Sequence, residues 1–108
     1  MSLDLLTEFE ATPDEGRVVD AELAVTDDVL VKAFALGPDG TITPHEHDGA
    51  TNVFHVLRGT VRVERDGDSE TVSAPGVVLN ERGQVHGAHN ETDEIAVLTA
   101  SLCPLPGQ

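Results

Sequence analysis

The stretch TPHEHDGATNVFHVLRG, residues 43–59, carries near its start two histidines that a single residue separates. A largely apolar run that ends in glycine follows them. On a β-strand, side chains at positions i and i+2 point to the same face. His45 and His47 are therefore expected to lie side by side, with Thr43 next to them. Because imidazole is the commonest protein ligand for transition metals, this stretch indicates a strand that presents two candidate metal ligands.

The remainder of the chain carries the same strand signal. Short runs rich in Val, Leu and Thr alternate with turns of Gly, Asp and Asn, roughly every eight to twelve residues. This pattern predicts an all-β sandwich or barrel with no long helix. The segment 60–74 predicts a hairpin across an Asp-Gly turn. The predicted strand runs are 17–23, 29–36, 52–57, 60–65, 70–74, 77–80, 84–89 and 94–102.

The domain organisation follows from length and turn signals. Residues 1–16 are acidic and weakly patterned, which predicts an N-terminal arm, and residues 17–108 are expected to form one domain. A chain of 108 residues is long enough to bury about two thirds of its unfolded surface. The arm carries Leu3, Leu5, Leu6 and Phe9, so we expect it to cross to a second copy and the protein to be a homodimer.

The charge is extreme for a small domain. Twenty acidic residues against six basic ones give a net charge of −14. Such a surface excludes nucleic acid and anionic membranes as natural partners, since both need basic patches. The alternating apolar segments argue against disorder, so the composition favours a halophile, whose salt screens the repulsion. A lone cysteine, Cys103, precludes an intrachain disulfide and, with no apolar run of about 20 residues, predicts a cytoplasmic protein.

A third histidine follows in the segment ERGQVHGAHN, residues 81–90. If that segment is a strand, His86 shares its face with Ala88 and Asn90. If the strand also lies beside His45 and His47, His86 would complete a three-histidine site. Three protein ligands leave room for water or a substrate at a metal ion. His55 and His89 fall on the opposite faces of their strands, so we expect both to lie outside the site.

These two segments resemble the motifs of small single-domain cupins. The first motif corresponds to Gly40, His45, His47, Asn52 and Gly59, and the second to Gly83, His86 and Asn90. The resemblance implies a jelly-roll barrel, also called a double-stranded β-helix. It further implies one divalent transition metal ion, with Zn, Mn, Fe, Ni and Cu as candidates, held inside the barrel mouth by the three histidines.

The chain departs from the cupin pattern at two positions. Glu81 stands where proline is usual, which should alter only the turn, and Asn52 stands where a glutamate ligand is usual. An amide offers a neutral oxygen, so Asn52 is expected to be either a weak fourth ligand or a group that supports the ligands.

The predicted pocket is small and mostly apolar, and it fits a small oxygen-bearing molecule. Three functions stay open. The first is a metal-dependent enzyme such as a dioxygenase or isomerase, the second a non-catalytic binding or sensing protein, and the third a metal-free structural cupin. The residues expected to line the pocket are Thr43, Phe54, Ala88, Asn90 and Leu98.

Overall fold

The computed structural model describes residues 4–104 and contains nine β-strands, with no helix in that range. This confirms the predicted all-β fold. The strands are β1 (Val18–Val25), β2 (Leu30–Leu36), β3 (Thr41–His45), β4 (Thr51–Arg58), β5 (Thr60–Arg65), β6 (Asp68–Ser73), β7 (Gly76–Asn80), β8 (His86–His89) and β9 (Ala96–Cys103).

The strands form two antiparallel sheets. The larger sheet has the order β1-β2-β9-β4-β7 and the smaller one the order β3-β8-β5-β6. Chain neighbours β3 and β4 lie in different sheets, as do β8 and β9, so the chain passes repeatedly from one sheet to the other. This arrangement is the predicted jelly-roll, in which apolar side chains of both inner faces meet in a shared core.

The core is built by strict alternation along the strands. In β4, Phe54 and Val56 are each 1% exposed, whereas His55 between them points outward. The same alternation in β9 and β5 brings apolar side chains from both sheets together, so each strand stabilises the fold through one face only. The buried cluster comprises Leu36, Ile42, Phe54, Val56, Val61, Val63, Ala88, Ala96, Leu98 and Ala100.

The hairpin of β5 and β6 confirms the predicted Asp-Gly turn. Arg65 pairs with Asp68, which leaves Asp66 and Gly67 as the two loop residues. Both have positive φ angles, 51° and 88°. A two-residue turn of this kind matches the twist of the flanking strands, and Asp and Gly tolerate the left-handed backbone that it requires.

Strand β3 differs from the regular strand that the sequence predicts. Its pairing with β8 is irregular between Ile42 and His45, and the strand ends at His45. The irregularity shifts the alternation, so Ile42 is buried and Thr43 is exposed. His47 consequently lies in the loop after β3, where its backbone carbonyl accepts a hydrogen bond from the Gly83 N–H at 3.1 Å.

A glycine lets β3 approach β8 beside the histidines. A Cβ atom placed on Gly87 would lie 2.6 Å from the carbonyl oxygen of Ile42, closer than real contacts allow. Because Gly87 has no side chain, His45 can pair directly with His86 across the two strands. The close strand approach thus sets the position of two of the three candidate ligands.

The N-terminal arm packs against its own chain. Leu6 and Phe9 line a shallow depression together with Leu57 and Val97 on the outer face of the larger sheet. The predicted division into an arm, 1–16, and a barrel, 17–108, stays a prediction, and its residues 1–3 and 105–108 lie outside the described range.

Candidate metal centre

Three histidines converge at one end of the barrel. His45 ends β3, His47 follows in the loop, and His86 begins β8. One ring nitrogen of each lies within 4.8 Å of the others, and the ring centroids are 4.7 to 5.5 Å apart. The structure therefore brings together the three residues that the sequence singled out as candidate metal ligands.

Backbone hydrogen bonds orient two of these rings. Nδ1 of His45 lies 2.8 Å from the carbonyl oxygen of Thr43, and Nδ1 of His86 lies 2.9 Å from that of Gln84. A carbonyl only accepts hydrogen bonds, so in both rings Nδ1 carries the proton and donates. Nε2 is then unprotonated and holds its lone pair free, which is the form that binds metal.

The Nε2 atom of His86 is the strongest sign that this cluster is built to bind a ligand. His86 is 1% exposed, and this nitrogen is buried with no hydrogen-bond partner. A buried polar atom without a partner is costly, so proteins rarely leave one unless something binds there. The edge of the Phe54 ring packs on His86, with centroids 5.7 Å apart, and holds the imidazole in place.

The surroundings of His86 and His47 favour the neutral imidazole by lowering the pKa of each. Burial is the main cause that lowers the pKa of His86 below 6.5, and the neighbouring His45 and His47 lower it further, against opposite effects of the Gln84 carbonyl and Asp66. Burial and the proximity of His45 lower the pKa of His47 as well. Since a metal ligand must be deprotonated, the lowered pKa values favour metal binding at neutral pH.

Asn52 lies on the inner face of β4 and is 2% exposed. Its Oδ1 atom accepts a hydrogen bond of 3.1 Å from Nδ2 of Asn80 on the neighbouring strand β7. This contact fits the supporting role expected for Asn52, because it fixes the amide against the neighbouring strand, and one lone pair of the oxygen remains for the weak-ligand role. The pairing itself was not apparent from sequence, since nothing in a single strand indicates which polar residue will lie opposite.

A cavity of about 280 Å³ opens beside the histidines. Its polar lining comes from Lys32, His45, His47 and Asn52, and the remainder is apolar. This composition, a few polar groups on an apolar wall, is typical of small-molecule sites, and the volume suits a ligand smaller than most drugs. The apolar lining consists of Leu30, Phe34, Ile42, Phe54, Ala100 and Leu102.

Phe54 is the one predicted lining residue that borders this cavity; the other four lie elsewhere. Thr43 is exposed, because the irregularity in β3 turns it outward. Ala88 and Leu98 face inward but belong to the packed core. Asn90 lies four residues beyond His86, roughly 13 Å along an extended strand. There its Nδ2 donates to the carbonyls of Leu36 and Gly37 and so stabilises the turn after β2.

Lys32 is a cavity residue that the sequence patterns did not point to. It lies in β2 between Leu30 and Phe34 on the same face, and all three line the cavity. The available signal was a single lysine, the only one in the chain, inside an otherwise apolar strand. In the sequence of an acidic protein, such a lysine cannot be distinguished from an ordinary surface charge.

The other two histidines lie away from the cluster. His55 points outward from β4 and is exposed. His89 contacts Thr41 Oγ1 through Nδ1 at 2.6 Å, and its Nε2 is 3.5 Å from a carboxylate oxygen of Asp39. Both residues can therefore serve as controls for experiments on the three-histidine cluster.

Comparison with known proteins agrees with this architecture. The profile of the cupin domain family matches residues 33–102, which include the three histidines. The chain belongs to the cupin family. No match was found among curated protein sequences.

Solved structures of low sequence identity share the fold. A Thermus thermophilus protein has a TM-score of 0.84 at 23% identity, covering 95% of this chain and 96% of that one. KdgF from a Halomonas species has a TM-score of 0.79 at 19% identity, covering 93% and 90%. A predicted oxalate decarboxylase from Thermotoga maritima has a TM-score of 0.77 at 20% identity, covering 82% and 81%. At such identities the likeness shows the fold alone.

Residues 4–104 contain no helix that is long and apolar enough to cross a membrane.

Proposed function

We propose that this protein binds one divalent transition metal ion through His45, His47 and His86, and a small oxygen-bearing molecule in the adjoining cavity. The observation that carries the proposal is the convergence of three imidazole nitrogens within 4.8 Å. The buried Nε2 of His86, which has no hydrogen-bond partner, supports it. The donor set fits Zn, Fe, Ni or Cu, which imidazole suits, and Mn remains a candidate if water or the bound molecule supplies the oxygen ligands that it prefers.

Residues of the chain orient the imidazoles and form an apolar side of the site. The carbonyls of Thr43 and Gln84 accept hydrogen bonds from Nδ1 of two imidazoles, which leaves Nε2 of each ring available as a ligand. Phe54 packs on His86 and lines the cavity, which excludes water from one side of the site. A divalent ion bound there would supply Lewis acidity or a place for dioxygen chemistry.

The cavity lining favours binding over strong acid–base catalysis. In the described part of the chain, no Asp or Glu lines this cavity, and its titratable lining residues are Lys32, His45 and His47. General acid–base catalysis needs a group that can move a proton at the substrate, and with His45 and His47 held as metal ligands Lys32 is the lining residue left for that role. A dioxygenase or isomerase is the catalytic form of the proposal, and a binding or sensing protein is the alternative. A metal-free structural cupin is opposed by the unpartnered Nε2 of His86.

Metal analysis of purified protein tests the proposal. Protein stripped with a chelator is incubated with each of the five candidate ions in turn, desalted, and measured by elemental mass spectrometry. We expect about one ion per chain, lost in His45→Ala and His47→Ala, which alter partly exposed side chains and should still fold. His55→Ala and His89→Ala are the matched controls and should keep the ion. Full metal content in His45→Ala or His47→Ala would refute the site.

We propose four further properties, each on separate grounds. A homodimer is supported by apolar side chains on the outer face of the larger sheet, where Val77 is 65%, Leu79 49% and Leu57 44% exposed. Growth in high salt is supported by the net charge of −14. A cytoplasmic location and the absence of nucleic-acid partners rest on the lone cysteine and the same acidic charge.

A further inference from the structure

The only lysine of this acidic chain lies on the wall of the cavity. Lys32 alternates with Leu30 and Phe34 along β2, so all three point toward the barrel interior. Its ammonium also lies 5.2 Å from the centroid of the Phe34 ring. A cation is thus held beside apolar surface, on the same cavity as His45 and His47.

The present partner of Lys32 can be exchanged. Its Nζ atom is 2.7 Å from a carboxylate oxygen of Asp20, and the two side chains are 30% and 49% exposed. Ion pairs that are open to water contribute little to stability, because water solvates both charges well. A carboxylate that enters the cavity can therefore replace Asp20 at small cost.

The cavity floor, which is the surface between Lys32 and the histidine cluster, is apolar and carries only a short side chain. Lys32 lies opposite Ala100 of β9, which lies opposite Phe54 of β4. Two strand spacings, roughly 9.5 Å, therefore separate the backbones of Lys32 and Phe54. Between them stands only the methyl group of Ala100, and the far end of the row, Phe54, contacts His86. The small side chain of Ala100 leaves the space that forms the cavity.

We propose that the ligand of this cavity is a small organic carboxylate with an apolar body. Its carboxylate pairs with Lys32 in place of Asp20, its body lies over Ala100 between Phe34 and Phe54, and its other end faces His45 and His47. This assignment deepens the proposed metal-and-ligand function by naming the ligand class. Lys32 alone contributes the cationic contact, so the carboxylate contact is present with or without a metal ion.

Physical chemistry favours this class over neutral or fully polar ligands. An ammonium donates up to three hydrogen bonds and pairs best with an anion, and such charge-assisted bonds are stronger than neutral ones. The apolar lining contributes by removing hydrocarbon surface from water. A neutral molecule would leave Lys32 paired with Asp20 and would not gain the charge-assisted hydrogen bond. A small polar anion would gain that bond but would bury little apolar surface.

Binding of benzoate and its neutral isostere benzamide tests the inference. Both probes are titrated into metal-free and metal-loaded protein at constant ionic strength, with affinity read from NMR chemical shifts of the backbone amides. We expect wild type to bind benzoate more tightly than benzamide even without metal. Lys32→Met should lower the benzoate affinity about tenfold and abolish the preference, as expected for loss of one charged hydrogen bond.

Three variants make the design specific. Asp20→Asn keeps the ammonium and removes its competing partner, so benzoate should bind several times more tightly. Ala100→Leu fills the floor of the cavity and should abolish binding of both probes. Arg17→Met changes the net charge as Lys32→Met does, but at an exposed position outside the cavity, and should bind as wild type does.

The inference fails if benzoate does not bind, if Lys32→Met retains the preference for benzoate, or if Ala100→Leu binds as wild type does. Should Lys32→Met fail to fold, an Asp20→Asn variant with unchanged benzoate affinity would overturn the inference by itself. The metal proposal is judged separately by metal content. If the protein takes up no metal ion in that analysis but binds benzoate through Lys32, the ligand class is supported and the metal site is refuted.

Discussion

Asn80 donates a buried hydrogen bond of 3.1 Å to the side-chain oxygen of Asn52 across β7 and β4. Both side chains are almost completely buried, at 0% and 2% exposure. The pair links an edge strand to the cavity wall beside the histidines. The residue that stands where cupins usually carry glutamate is thus anchored by a partner on the neighbouring strand.

Replacing one asparagine of this pair should destabilise the protein more than replacing both. Asn52→Leu leaves the amide of Asn80 buried without its partner, which should cost about 1–3 kcal/mol. The double variant Asn52→Leu/Asn80→Leu removes both polar groups and should recover part of that loss. Urea unfolding of wild type, both single variants and the double variant measures the coupling. Additive losses would show that the hydrogen bond contributes nothing.

Asn52→Glu should tighten metal binding. The longer side chain extends past Asn80 toward the cavity that His45 and His47 line, and it adds an anionic oxygen to three neutral imidazoles. The same charge should weaken binding of benzoate by repulsion. Chelator competition on wild type, Asn52→Glu and the neutral control Asn52→Gln compares the affinities. Equal metal affinity in the glutamate and glutamine variants would place residue 52 out of reach of the ion.

The metal-free protein should lose stability as the pH falls below about 6.5. Burial lowers the pKa of His86 and of His47 in the folded state, whereas unfolding restores the ordinary value of 6.5. Between the two values the unfolded chain binds more protons, so stability is complete above 6.5 and is lost as pH drops through the lowered folded-state pKa.

Thermal unfolding from pH 8 to pH 5 measures this loss. His47→Gln should flatten the curve, because it removes one of the two groups whose pKa is lowered. His55→Gln, at an exposed position, should leave the curve as in wild type. Identical pH curves for the two variants would mean that the histidine cluster does not govern acid stability.

Salt should stabilise the protein strongly. A net charge of −14 on 108 residues repels itself, and the Debye length falls from about 10 Å at 0.1 M salt to about 3 Å at 1 M. We expect the midpoint of thermal unfolding to rise by several degrees over that range in NaCl. The same series in KCl controls for the identity of the cation. A flat midpoint would contradict the inference of a halophilic protein.

The outer face of β4 and β7 should mediate dimer formation. Leu57, Val77 and Leu79 expose apolar surface there, and burying it against a second copy would remove that surface from water. Val77→Glu should shift the mass measured by light scattering from dimer to monomer. Val25→Glu changes an equally apolar position on β1, which is 53% exposed, and serves as the control. A monomeric wild type at all concentrations would refute this interface.

The N-terminal arm offers an alternative route to the same dimer. Deletion of residues 1–12 would weaken association if the arm reaches a second copy. Leu6 and Phe9 lie against the chain's own Leu57 and Val97, so we expect the deletion to expose more of the sheet and not to dissociate the dimer. Light scattering on the truncated chain distinguishes the two routes.

Much of this molecule is determined by local sequence. Period-two alternation in residues 52–57 is sufficient to place Phe54 inside and His55 outside, and Asp66-Gly67 specifies its own hairpin, because both depend only on the chirality and pleat of one strand or turn. His45 and His47 are recognisable as candidate ligands for the same reason, since their residue type and spacing are local properties, whereas His86 joins them through the resemblance to the cupin motifs.

Only the tertiary structure decided which residues lie opposite each other on neighbouring strands. The irregular pairing of β3 with β8 turned Thr43 outward, the register of β4 against β7 paired Asn52 with Asn80, and the row through Ala100 placed Lys32 on the cavity. A single strand carries no information about which strand lies beside it or in which register. Partners across strands are selected by packing of the whole core, and the cavity with its polar groups arises where that packing leaves space.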